Sequence, residues 1–258
     1  MNSSSRRLQP FAAIAQVILA GLTAVASVKA EPAIIGKARS FVGTEAALNA
    51  VKSVHFVGSL TKATSADSAK PLRAALELFF QAPERQRIQV ISEKITEVTA
   101  LDGYDGWHRT QENADSGKWT QTLLGADQIK RLRASTWESL SFYRGIETRG
   151  GRVEDQGAVV LDGVACQKLA FIYAKDIIFY RFMDSKTGQL VASETESGGM
   201  QREGGEIIAS GVRFPKTIVT TTKNSAGQVE TLTLNFEKIT VNEALPASLF
   251  AVPGLKVK

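Results

Sequence analysis

The sequence predicts a mainly β (α+β) protein: a single curved antiparallel sheet with helices laid across its concave face. Three observations lead there. Segment after segment alternates apolar and polar residues with period two and is rich in Val, Ile, Thr and aromatics, as half-buried strands are. Between these segments stand turn signals: Asp102-Gly103, Asp105-Gly106, Asp162-Gly163, Thr187-Gly188 and the loop from Asn224 to Gly227. The elements run helix, several strands, helix, then a long series of strands. Nothing alternates as β-α-β, which argues against a parallel sheet.

The first thirty residues stand apart from this pattern. Arg6 and Arg7 form a basic start, residues 11–26 an apolar run, and Val28-Lys29-Ala30 a small-residue site before Glu31. This predicts a secretory signal peptide over 1–30, cleaved after Ala30, and one domain over 31–258. The apolar run, interrupted by Gly21 and Thr23, falls short of the ~20 residues that span a bilayer. No cysteine lies near the cleavage site, so the mature chain is not read as a lipoprotein. Cleavage removes three cations and no acids, lowering the formal charge from +5 to +2. With no block of Lys and Arg remaining, nucleic-acid binding loses its electrostatic footing.

Residues 33–51 carry Ile34, Ile35, Ala38, Phe41, Val42, Ala46, Leu48 and Val51 at helical spacing. Gly43 is expected to break this helix and Thr44 to cap its second half. Residues 53–61 read as a strand with Val54, Phe56 and Leu60 on one face, and the polar stretch 62–73 as a loop. Strands follow at 75–80, 85–92, 94–101 and 106–111, the first two flanking a turn at Pro83. Residues 125–137 form the second helix, with Ile129, Leu132, Thr136 and Trp137 on one side. Strands resume at 153–161, 164–173, 177–183, 189–196 and 201–209. The run Ile177 to Phe182 is apolar on both faces, as in a strand covered on both sides. Two long strands then fill residues 211–236, and Pro246 opens a helical turn that tucks Leu249 and Phe250 against the sheet.

Motifs of catalysis are sparse. Neither His55 nor His108 has a metal-ligand partner at helical spacing, and G-x-S-x-G, H-E-x-x-H and phosphate-binding glycine loops do not occur. Glu194, Glu196, Glu203 and Glu206 form the densest acidic group, which reads as a solvated edge beside Gly198-Gly199. Cys166 stands without a second cysteine, so no internal disulfide is possible; in its apolar strand it reads as a buried inert thiol. No catalytic residue, metal or cofactor is predicted. The apolar inventory says more. Leu78, Phe80, Trp137, Leu169, Phe171, Leu234 and Phe236, with Phe56 and Leu132, would converge under such a sheet. Whether they form a solid core or line a hollow is open at this level.

Two stretches carry a resemblance. The C-terminal pattern G-V-x-F-P-K-x-I, then T-L-T-L-x-F-x-K-I-x-V-N-x-x-L-P-x-S-L-F-x-V-P, is similar to the end of outer-membrane lipoprotein-sorting (LolA/LolB-like) proteins. GTEAALNAVKSVHFVGSL, from Gly43 to Leu60, resembles their helix-to-first-strand passage, with Gly43-Thr44 where members often have Gly-Gly. Tyr104 to Trp107 resembles, in shortened form, their DG-x-x-x-W hairpin. The resemblance implies an incomplete β-barrel under a helical lid and a hollow reading of the apolar inventory. It further implies a periplasmic, monomeric carrier of lipid or lipoprotein acyl chains that meets inner- or outer-membrane sorting components. An arginine in an early strand closes the lid in such carriers; Arg85 and Arg87 lie in a suitable strand, but no motif assigns the role. The alternative of another class is an envelope-stress sensor or scaffold of this fold that binds a partner protein.

Overall fold

A computed structural model describes residues 31–65, 71–195 and 198–254; the expected signal peptide and Glu196 lie outside them. The described residues open with α1 (Ala33–Val42) and α2 (Glu45–Ala50). Gly43 separates them and bridges to Val212, close enough that a Cβ there would lie 2.9 Å from the Gly211 carbonyl oxygen. Thr44 caps α2 by accepting the Ala47 N–H at 3.2 Å.

Strands β1 (Ser53–Thr64), β2 (Leu72–Gln81), β3 (Arg85–Ile91), β4 (Ile95–Asp102), β5 (Asp105–Glu112) and β6 (Trp119–Leu123) follow. The expected loop at 62–73 is therefore shorter, since β1 runs on to Thr64 and β2 begins at Leu72; its centre, 66–70, lies outside the described residues. Next come α3 (Ala126–Ser141) and a 3₁₀ turn (Ile146–Arg149). The second series is β7 (Arg152–Leu161), β8 (Val164–Ala174), β9 (Ile177–Asp184), β10 (Leu190–Thr195), β11 (Met200–Ala209), β12 (Val212–Lys223) and β13 (Val229–Val241).

Among the described residues thirteen strands make one antiparallel sheet that stays open rather than closing into a barrel. Its order is β6-β5-β4-β3-β2-β1-β13-β12-β11-β10-β9-β8-β7. Two meanders of neighbouring hairpins thus meet at a seam where β1, early in the chain, pairs with β13, the last strand. The seam runs from Val54 opposite Val241 to Thr64 opposite Glu230, with a bulge at Val57/Gly58. A Cβ on Gly58 would stand 2.0 Å from the Asn235 carbonyl oxygen, so this bulge admits glycine alone.

The path from β6 to β7 must travel from one sheet edge to the other. On a flat sheet those edges would be about 58 Å apart at ~4.8 Å per strand. The sixteen residues of α3 span only about 24 Å. The crossing succeeds because the sheet curls and α3 cuts across the hollow, packing on β2, β3 and β4.

Two apolar cores fill the concave side. Leu48 and Val51 of α2 join Val54, Phe56, Leu76, Phe80, Phe214 and Phe236 in one. Ile34, Ile35 and Ala38 of α1 join Ile146, Leu169, Phe171 and Met183 in the other. β9 is apolar on both faces, as its sequence indicates: Met183 belongs to the core under α1, while Phe182 packs with Cys166 and Ala192 on the opposite face. The C-terminal turn covers that outer face too. Phe250 is fully buried, and its carbonyl accepts the Trp107 indole N–H at 2.9 Å, on the side of β5 away from α3. The apolar ending of the chain therefore plugs the back of the sheet and leaves the concavity to the helices.

Candidate functional site

Between the helices and the sheet lies a cavity of about 350 Å³. It touches β2 and β9, six strands apart in the sheet order, which only a strongly curved sheet allows. Its walls divide into an apolar end and a polar end.

The apolar end is built from inward positions of β1, β2, β12 and β13. Phe56, Leu78, Phe80, Phe214, Ile218, Leu234 and Phe236 line it. The Phe56 ring is its centre, 4.9 Å from that of Phe236, 5.7 Å from Phe214 and 6.1 Å from Phe80, in tilted and edge-on arrangements. Period-two alternation brings these rings together: each stands on the same face of its strand, and the strands are neighbours.

The polar end comes from α3 and β9–β11. Glu138, 6 % exposed, accepts the Tyr173 hydroxyl at 2.6 Å and the Arg181 guanidinium at 2.8 Å. Burial opposes charge on Arg181, but the Glu138 carboxylate beside it raises its pKa above the ordinary value. Burial and the same carboxylate push the Tyr173 phenol up, so it stays a hydrogen-bond donor. Tyr143 is likewise raised by burial. Glu203 of β11 lines the cavity while keeping substantial accessible surface; the desolvation it meets raises its carboxyl pKa, and Arg181 opposes the rise. β10 and β11 are interior strands, so Glu203 does not sit on a solvated sheet edge as the sequence indicates.

The helices are tied over the cavity by Arg39, a residue the sequence reading passed over. Only 2 % of its side chain is exposed. It holds the Glu45 carboxylate at 2.8 and 2.6 Å and donates to the carbonyls of Ser141 and Phe142 at 3.1 and 2.8 Å. One guanidinium thereby joins α1, α2 and the C-terminal end of α3, where a cation suits the helix dipole. Phe142 and Tyr143, which line the cavity, follow α3 with φ of 48° and 73°. Such left-handed residues cost of order 1–3 kcal/mol each, and Arg39 holds their turn in place. Arg85 and Arg87 do not join this latch. They face the back of the sheet, bonded to Asp102 and to the Leu249 carbonyl.

Of the nine residues the sequence singles out, five line this cavity: Phe56, Leu78, Phe80, Leu234 and Phe236. Leu169 and Phe171 are fully buried under α1 instead, because β8 lies beyond the cavity and α1 sits directly on it. Trp137 and Leu132 lie on other sides of α3. Trp137 faces a second hollow with Arg149 stacked 4.3 Å over its ring, and Leu132 lines a third beside His108. Missed were Phe142, Tyr143 and Phe179, whose membership depends on the crossing of α3, and the pair Glu138–Arg181. Phe214 and Ile218 were legible as apolar strand positions but not as cavity wall.

These features define an open antiparallel half-barrel, lidded by helices, with an amphipathic interior. No protein-family model matches the chain, and no curated protein matches it by sequence. Solved structures do share its fold. A LolA superfamily protein from Nitrosomonas europaea is similar with a TM-score of 0.54 at 12% identity, over 86% of this chain and 97% of that one. An outer-membrane lipoprotein-sorting protein domain from Vibrio parahaemolyticus gives 0.51 at 10% identity, over 84% and 95%. A DUF1329 family protein from Desulfovibrio piger gives 0.53 at 8% identity, over 85% and 96%. The chain therefore has the LolA-like fold; at such identities the likeness speaks of architecture alone. Among the described residues no helix is long and apolar enough to cross a membrane.

Proposed function

We propose that the protein is an exported carrier that holds the acyl chain of a lipid or lipoprotein in the cavity beneath α1, α2 and α3. The single observation that carries this reading is the half-apolar hollow of about 350 Å³ where a solid core would otherwise sit. That size falls within the range of small-molecule sites. Its aromatic end offers an alkyl chain about 0.8 kcal/mol for each methylene buried. Arg181, Glu138 and Tyr173 are tied to one another, an arrangement suited to holding a ligand rather than transforming it. A signal peptide over 1–30, cleaved after Ala30, would deliver the mature domain, 31–258, to the periplasm, where sorting components of either membrane would be its partners.

The test compares two polar substitutions. Leu234→Asn puts an amide on the cavity wall, where water can solvate it until a ligand displaces that water. Phe171→Asn puts the same amide in packed core, where folding bears about 1–3 kcal/mol of desolvation plus the lost packing. Fluorescent fatty-acid titration and urea unfolding should separate them: Leu234→Asn weakens binding with a small stability loss, and Phe171→Asn chiefly destabilises. Wild-type protein that binds no acyl chain would end the carrier reading.

A further inference from the structure

Five charged side chains line the cavity, and among the described residues only one of them lacks a hydrogen bond or close ion pair. Arg181 is bonded to Glu138, Arg213 to Glu206 and Glu194 to Lys168. Glu203 makes no hydrogen bond or ion pair. When Glu203 is ionised, this set of three cations and four carboxylates carries one uncompensated negative charge inside a partly enclosed space. The position is directional as well. Glu203 stands opposite Ile218, and Ile218 opposite Leu234, so one cross-strand row leads from the lone carboxylate into the apolar end.

Resting on the carrier reading above, we propose that the ligand is an amphiphile with a cationic, ammonium-bearing head held at Glu203 and a chain laid along Ile218, Leu234 and the Phe56 cluster. An ammonium supplies a donor, which the carboxylate lacks, and a cation not already bonded to another acid as Arg181 is to Glu138, and it leaves the cavity neutral. A hydroxyl head supplies only the donor. A carboxylate head would meet Glu203 as a like charge, or would have to displace Glu138 from Arg181. Glu203 keeps substantial accessible surface facing no acid or base that bonds it, which leaves its oxygens free for a ligand cation. The groups that face it bear on the same balance: Arg181 from β9, Glu138 from α3, Tyr143 after α3, Arg213 from β12, Glu206 from β11 and Glu194 from β10.

Three probes of equal chain length, dodecylammonium, dodecanol and dodecanoate, should be competed against a fluorescent acyl probe on the mature protein at pH 7. The ammonium should bind roughly tenfold or more tighter than the alcohol, and the carboxylate weakest. Glu203→Gln should abolish the ammonium preference, keep the affinity for the alcohol, and melt at or above the wild-type temperature, since an unpaired charge is removed. Acidification should erase the preference as Glu203 protonates, although the ammonium itself stays charged. Dodecanoate binding as tightly as dodecylammonium, or a preference that survives Glu203→Gln, would overturn the assignment of the head group while sparing the carrier. Failure of all three probes to bind would overturn the carrier reading and this proposal with it.

Discussion

Arg181 and Glu138 are nearly enclosed, and a buried ion pair behaves asymmetrically when one partner is lost. Arg181→Met leaves Glu138 without its cation at 6 % exposure and should cost on the order of 3–5 kcal/mol. Pairing it with Glu138→Leu should restore much of that loss. Urea midpoints of the two variants check this; equal losses would mean that the carboxylate is solvated. Arg39 makes a different demand, since it binds Glu45 through two nitrogens and two backbone carbonyls besides. A lysine cannot reproduce that fork, so Arg39→Lys should destabilise by about 1–3 kcal/mol. The hydrogen bonds from Arg39, then its charge and that of Arg144, hold the Glu45 carboxyl below its usual pKa. Its contribution is therefore complete above the ordinary carboxylate value of about 4.3 and fades as pH falls through the lowered folded value. A melting curve series across acid pH should show this slope in wild type and its loss in Glu45→Gln. Neither pair was legible beforehand. The partners of Arg39 on α3 lie about a hundred residues away, and no local period announces them.

At the scale of elements, strands with a buried face could be read and those without one could not. Val54, Phe56 and Leu60 announce β1 by alternation. β6 went unrecognised because Trp119 and Leu123 are 50 % and 68 % exposed; ladder bonds to β5, Arg109 stacked on Trp119 and a Gln121 bond to the Pro253 carbonyl hold it, and it has no buried face to leave a pattern. α3 was anticipated but ends at Ser141 rather than 137, since Glu138 is drawn in by partners on β8 and β9. Its expected single stripe is replaced by three sides. Ser135, Glu138 and Ser139 meet the cavity, Arg133 and Trp137 a second hollow, and Gln128 and Leu132 a third. Trp137 rests on Gly145 and under Arg149 instead of filling the core. Trp137→Ala should consequently cost about 1–2 kcal/mol, below the 3–5 typical of a fully buried ring, and leave acyl-chain affinity unchanged. A larger loss in thermal unfolding, or weakened binding, would put the ring back among the cavity's walls.

At the scale of the molecule, the fold class could be inferred because element order and strand spacing are properties of the chain taken locally. The cavity could not, because its walls are set by how far the sheet curls and by where α3 crosses. Phe80 and Phe171 look alike in sequence; only curvature puts one on the hollow and the other beneath α1. The bulge at Gly58 contributes to that bend at the centre of the sheet. Gly58→Ala should cost about 3 kcal/mol, as expected for forced overpacking, and circular dichroism with urea unfolding would register it.

The seam has a consequence in time. As the chain emerges from the ribosome, β2 reaches β1 almost at once, but β13 follows only after roughly 165 further residues. At about 5–20 residues per second, that is a delay of roughly 10–30 s. Throughout it, Val54, Phe56 and Leu60 belong to a strand with one free edge, able to recruit the wrong neighbour. The first strand is spoken for by the last. A chain stopped just before Val229 should therefore accumulate as insoluble material, while one stopped after Gly254 remains in solution, and a simple sedimentation assay distinguishes the two. The sheet therefore cannot be completed until its last strand has been made.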